Sequence, residues 1–174
     1  MSNPVGHLKV MTGDDFACVK VSGRANFTLG IDFQTLLAEV QKRNYAYVVL
    51  DLSDCMLMDS TFLGILTGFG LKMGSINGGS NSHVVELLNP NARVAELLEN
   101  LGVLQLFTLR QGEQDRPCVE QSSPVITAPS QQQLKRACLE AHQTLMSLSN
   151  ENASRFKDVA QFLSEELKRT KSAV

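Results

Sequence analysis

At 174 residues the chain has room for one medium domain, or for a smaller domain with an appendage. Its hydrophobic share of 43% can furnish a core, while a net charge of −2 without any polybasic block points away from nucleic acid and anionic membrane surfaces as partners. Cys18, Cys55, Cys118 and Cys138 lie far apart, with no C-x-x-C and no histidine at ligand spacing. That pattern argues against a zinc site or a disulfide framework and fits a reducing cytosol.

The opening MSNPVGHLKV has no apolar core of signal-peptide length, and no apolar run approaches the roughly 20 residues of a membrane helix. The expectation is a cytoplasmic protein. Leu8 and Val10, then Ala17, Val19 and Val21, alternate with polar or small residues around Thr12-Gly13-Asp14-Asp15, which predicts a hairpin whose second strand ends at Gly23. Phe33, Leu36, Leu37 and Val40 follow at helical spacing, opposite Gln34, Glu39 and Lys42. The run from Tyr45 to Leu52 suits a central strand covered on both faces, with Asp51 and Asp54 leading into a turn.

A second helix is expected from Ser60 onward. Phe62, Leu63, Ile65, Leu66, Phe69 and Met73 cover most of its circumference, so it should be largely buried. A loop from Gly74 to Ser82 leads to a short strand, Val84 to Leu88. Asn89-Pro90 predicts a helix start, with Asn89 as N-cap and Pro90 as the first helical residue. Val94, Leu97, Leu98 and Leu101 supply its apolar stripe before Gly102, and a last strand is expected from Leu104 to Leu109. The order β-β-α-β-α-β-α-β predicts an α/β (α+β) fold: a mixed four- to five-stranded sheet with helices mainly on one face.

Three units are expected along the chain: a domain over residues 1–110, a Pro/Gln/Ser-rich linker or ordered arm over 111–129, and a C-terminal helical extension over 130–174. Ser130 and Gln133 form a capping-box pattern. Leu134, Cys138, Ala141, Leu145 and Leu148 then make one apolar stripe, and Phe156, Ala160, Leu163 and Leu167 a second, shifted in phase beyond Ser149-Asn150-Glu151-Asn152. Two such stripes must pack on the first domain, on each other as a hairpin, or on a second copy as a homodimer.

The segment with functional content is Val48-Val49-Leu50-Asp51-Leu52-Ser53, followed by Met58-Asp59-Ser60-Thr61-Phe62-Leu63-Gly64. A strand ending in Asp-Leu-Ser and a helix opening with Asp-Ser-Thr and continuing Leu-Gly resemble the STAS family, and within it the bacterial anti-sigma-factor antagonists. The resemblance spans residues 7–109 and includes the Asn-Pro before the third helix. It implies a non-catalytic cytoplasmic regulator without cofactor or metal, whose partner is a serine kinase that is itself an anti-sigma factor. Ser60 matches the family's phosphorylated serine, and Asp59, Ser60, Thr61, Phe62 and Asn26 match its partner-binding positions. Phe62 stands where relatives often carry glycine, and Asn26 where many carry a carboxylate. A phosphate beside the unpaired N–H groups of a helix N-terminus is physically reasonable, and it adds roughly −1.5 to −2 charges to a docking surface. The alternative is a STAS subunit of a larger assembly, a lipid-transport ATPase or a stress-sensing complex, in which Ser60 is a cap and interface residue.

Other signals are weaker. Gly68-x-Gly70-x-x-x-Gly74 has the wrong spacing for a dinucleotide fingerprint, and Gly74 to Ser80 lacks the Gly-Lys-[Ser/Thr] of a phosphate-binding loop. A hydrolase would need Ser60 as nucleophile and His83 as base, without a G-x-S-x-G elbow.

Overall fold

The computed structural model describes residues 5–76, 84–121 and 128–172. Strand β1 (His7–Thr12) pairs antiparallel with β2 (Phe16–Ala25), from His7↔Ser22 to Thr12↔Ala17. Helix α1 (Phe27–Lys42) crosses to β3 (Tyr47–Met58), which lies parallel to β2. Helix α2 (Ser60–Ile76), strand β4 (Val84–Leu88), helix α3 (Ala92–Asn100), a 3₁₀ turn (Leu104–Leu106) and strand β5 (Thr108–Arg110) follow, with β4 parallel to both β3 and β5. A further strand, β6 (Val119–Gln121), pairs antiparallel with β1, giving a six-stranded mixed sheet in the order β5-β4-β3-β2-β1-β6. Helices α4 (Gln131–Met146) and α5 (Asn150–Ser172) complete the chain.

Alternation along the strands sorts side chains between two faces. Ala17, Val19 and Val21 of β2 and Val48, Leu50 and Leu52 of β3 point into the main core, where Phe33, Leu66, Leu98, Leu145 and Phe156 of the helices meet them. The opposite face carries a smaller cluster of Phe16, Cys18, Val49 and Leu88, with Cys118 packed against it. Arg116 lies over the rings of Tyr47 (4.5 Å) and Phe16 (5.6 Å) on this side. The helices thus occupy one face among the described residues, as the sequence predicts.

Several boundaries differ from expectation, each because tertiary pairing overrides local composition. β2 runs through Gly23, whose φ of 75° sits at a register irregularity opposite β3, and ends at Ala25. β3 continues past Asp51 and Asp54 to Met58, because β2 pairs with it as far as Ala25↔Met58 and Lys20 meets Asp54 at 2.9 Å. The N-cap of α3 is Asn91, whose side chain accepts from Val94 N–H at 2.9 Å. Asn89 instead adopts φ 55° and binds Gly112 through both its carbonyl and its amide. The expected strand from Leu104 to Leu109 is a 3₁₀ turn followed by the short β5, and α2 extends past Gly74 into the predicted loop, the rest of which lies outside the described residues.

The C-terminal helices form a hairpin packed on the domain. Ser130 and Gln133 make both hydrogen bonds of the capping box at the start of α4. Phe156, Ala160, Leu163 and Leu167 of α5 are buried, and Lys135 pairs with Glu166 across the two helices at 3.3 Å. The two helices are separated at residues 147–149, and in the first turn of α5 Asn152, 1% exposed, donates to the carbonyls of Leu101 and Leu145, both at 2.9 Å. Asn152→Ala removes the donor from the Leu101 carbonyl and leaves that of Leu145 with the Leu148 N–H alone. It should lower the unfolding free energy by about 1–3 kcal/mol, measured by urea titration of the full chain.

Candidate functional site

The site is built where β2, β3, α1 and α2 converge. β3 ends at Met58, and Asp59 donates its own N–H to the Ala25 carbonyl at the end of β2 (2.9 Å). Its carboxylate oxygens then accept from two helix starts: Oδ1 from Phe62 N–H at 2.8 Å and Oδ2 from Phe27 N–H at 2.7 Å. The Asp59 carbonyl takes the first helical bond of α2, from Leu63 N–H at 3.0 Å. Asp59 is therefore the N-cap of α2 and Ser60 its first residue. Asn26 caps α1 beside it, accepting from Leu29 N–H at 3.2 Å.

Burial pushes the Asp59 carboxyl above the ordinary aspartate range, and this outweighs the backbone N–H groups of Phe62, Phe27 and Thr61, which favour the charged form. Those donors are already engaged by a carboxylate. The helix terminus beside Ser60 is thus not the set of unpaired N–H groups anticipated from the sequence.

Ser60 meets a residue the sequence reading did not single out. Its Oγ lies 2.9 Å from His142 Nε2 of α4, and His142 Nδ1 lies 2.7 Å from the Cys138 carbonyl one turn back. A carbonyl only accepts, so Nδ1 carries the proton and, in the neutral ring, Nε2 accepts from the serine hydroxyl. His142 is 6% exposed, with the Phe156 ring 5.0 Å away. Its sequence signal was faint: a lone polar residue four positions after Cys138 and next to Ala141, within an otherwise apolar stripe. The base considered from sequence, His83, lies outside the described residues.

The other expected positions face inward. Thr61 is buried and its Oγ1 approaches Cys138 Sγ at 3.5 Å. Phe62 is fully buried and stacks on Phe33 with ring centroids 4.2 Å apart, so it supports the helix start from within. Gly64, one turn along, lets α4 approach closely: a Cβ there would lie 2.5 Å from the Ala141 carbonyl oxygen. Ser60, half-buried, and Thr61, buried, thus lie against α4. Phe27 and Met56, 45% and 50% exposed, are apolar side chains left open near the same strand and helix ends.

A serine hydrogen-bonded to a histidine is the start of a nucleophile–base pair, but acyl transfer also needs donors aimed at a developing oxyanion. The nearby N–H groups of Thr61 and Phe62 are taken by Asp59, whose negative charge would repel one. Burial pushes the Cys18 thiol up to about 12 and that of Cys55 to about 11, which keeps both in the unreactive protonated form. Among the described residues no group of three or more His, Cys, Asp or Glu is placed to hold a metal ion, and no helix is long and apolar enough to cross a membrane.

With this geometry in hand, the relatives are informative. The STAS domain family model matches residues 8–116, and the chain belongs to that family. An anti-sigma factor antagonist from Mycobacterium paratuberculosis superposes with a TM-score of 0.52 at 19% identity, over 60% of this chain and 85% of its own. The anti-sigma factor antagonist SpoIIAA in its unphosphorylated form matches with a TM-score of 0.52 at 12% identity, over 64% of this chain and 90% of its own. The Bacillus cell fate determinant SpoIIAA in its phosphorylated form gives 0.50 at 12% identity, over 64% and 94%. At these identities the likeness is one of fold. Among curated protein sequences, none matches the chain.

Two outcomes test the Asp59 clamp. Asp59→Ala should cost about 2 kcal/mol of stability by urea titration, since two helix starts lose their acceptor. A carboxyl whose folded pKa is raised contributes most below its unfolded pKa and loses that contribution as pH rises through the folded value. The stability advantage of the parent over Asp59→Ala should therefore grow, not shrink, as pH falls from 7 toward about 4, and NMR titration should place the Asp59 midpoint above that of an ordinary aspartate.

Proposed function

We propose that this protein is a non-catalytic cytoplasmic regulator, an anti-sigma-factor antagonist that exchanges partners according to the phosphorylation of Ser60 by an anti-sigma serine kinase. The observation that carries this reading is the placement of Ser60 as the first residue of α2, directly after the Asp59 clamp, in a STAS frame. The phosphorylated and unphosphorylated structures of the fold relative SpoIIAA support a fold that bears such a group.

The physics of the switch differs from simple cradling by a helix terminus. A phosphoryl group on Ser60 brings roughly −1.5 to −2 charges at pH 7 next to the half-buried Asp59 carboxylate. That repulsion, together with the loss of the hydroxyl proton now given to His142, changes the energy of whatever packs over the start of α2. Asp59 and Asn26 hold the two helix starts, the exposed Phe27 and Met56 supply apolar surface, and Ser60 sets the sign of the interaction.

A second reading is favoured by the burial of His142 against Ser60: the chain is a STAS subunit of a larger assembly, and Ser60 is a structural residue fastening α4. Two measurements separate the readings. Incubation with the cognate anti-sigma kinase and ATP should add one phosphate to the peptide containing Ser60, mapped by mass spectrometry; an active kinase that leaves Ser60 unmodified would overturn the switch. Ser60→Ala should bind that kinase whether or not ATP is present, whereas for an assembly subunit it should change only stability, by about 1 kcal/mol.

A further inference from the structure

We infer that the α4–α5 hairpin is a built-in cover for Ser60, and that a phosphoryl group on Ser60 and the closed hairpin exclude one another. The inference rests on the reading of Ser60 as a phosphate acceptor and adds the element that regulates access to it.

Three observations place the cover over the switch. His142 Nε2 lies 2.9 Å from the Oγ of the half-buried Ser60, so a phosphorus bonded to that oxygen has no room on that side. Cys138 contacts Thr61 one turn before, and Ala141 seats against Gly64 with no room for even a methyl group. His142 itself is held on its far side by the Cys138 carbonyl and the Phe156 ring, so it cannot yield without the helix. Asp59 is a carboxylate whose capping bonds already use the Thr61 and Phe62 N–H groups, and His142, the cation a phosphate could draw on, would first have to move aside to admit it.

The hairpin grips the start of α2 lightly, while Leu145 and Phe156 set its other end in the main core. Its contact with the start of α2 is made by small side chains, Ala137, Cys138 and Ala141, which bury little apolar area apiece. Its internal seam is larger, with Ala160, Leu163 and Leu167 buried along α5 and Lys135 paired to Glu166 between the helices. With the hairpin closed Ser60 is half-buried and Thr61 buried, and lifting it exposes both more fully to a kinase. A phosphate, once added, opposes closure. By linkage the two effects are one coupling free energy seen from either side.

The test needs no kinase. Phosphoserine is incorporated at position 60 during translation, and amide hydrogen exchange is compared with that of the unmodified full chain. Exchange over 131–146 should quicken by about tenfold or more, a coupling of ordinary allosteric size, while β2 and β3 keep their protection. Unchanged protection of α4 would overturn the inference, and so would loss of protection throughout β2 and β3, which would mean that the domain rather than the cover gives way.

A second readout uses Thr61→Cys, which sets a thiol opposite Cys138. With oxidised glutathione the two should join readily when Ser60 is unmodified, and about tenfold more slowly beside phosphoserine. Equal rates, with the bond mapped by mass spectrometry, would overturn the cover. Failure here leaves the kinase assay untouched, and an unphosphorylated Ser60 in that assay leaves the closed hairpin untouched.

Discussion

The carboxylate of Asp59 is the constraint on which the rest of the site depends. One side chain accepts the first free N–H groups of two helices, while its backbone N–H ties the end of β3 to the end of β2. The position of Ser60 follows from this: it is the first residue after a cap that cannot shift without loosening α1, α2 and both central strands. The cost of that arrangement is visible in the carboxyl itself, which burial holds above its ordinary titration range. A charged group maintained against desolvation beside a modifiable hydroxyl makes the local electrostatics sensitive to one more negative charge.

The helical extension is integrated with this site. Leu145 and Phe156 belong to the same core as the sheet, and Asn152 joins the first turn of α5 to the end of α3. At the other end of α4 the packing is of a different kind: alanine and glycine in close approach, and a polar pair, Ser60 and His142, at the centre. A polar pair in an apolar contact adds little net stability and much specificity of position, because misalignment leaves a buried hydroxyl or imidazole without its partner.

Much of this was legible in the sequence. The apolar periodicity of α1, the saturated circumference of α2 and the two stripes of α4 and α5 each follow from side chains that must leave water, and Asp59-Ser60 at a helix start from capping chemistry. The misreadings occurred where long-range pairing decides. Asp51 and Asp54 look like the approach to a turn, yet β2 lies alongside and holds them in a strand. Val119–Gln121, in a stretch read as linker or arm, carries no strand-like apolar pattern, and Val119 is 68% exposed; it is extended because β1 offers a free edge. Asn89 and Asn91 are both plausible caps, and only the φ of 55° at Asn89 settles which begins α3. His142 was invisible for a similar reason: nothing local to α4 says that a hydroxyl 82 residues away will face it.

The short strand β6 has a mechanical consequence. It fastens the chain to the outer edge of the sheet at Gln121, and α4 begins at Gln131, so a detached hairpin would remain leashed near its own seat. Any competitor for that seat would contend with a local ligand at an effective concentration on the order of millimolar, as for short tethers generally. A weak, brief encounter would then be turned away, and only a binder of substantial affinity, or a chemical change at the seat itself, would hold the surface open.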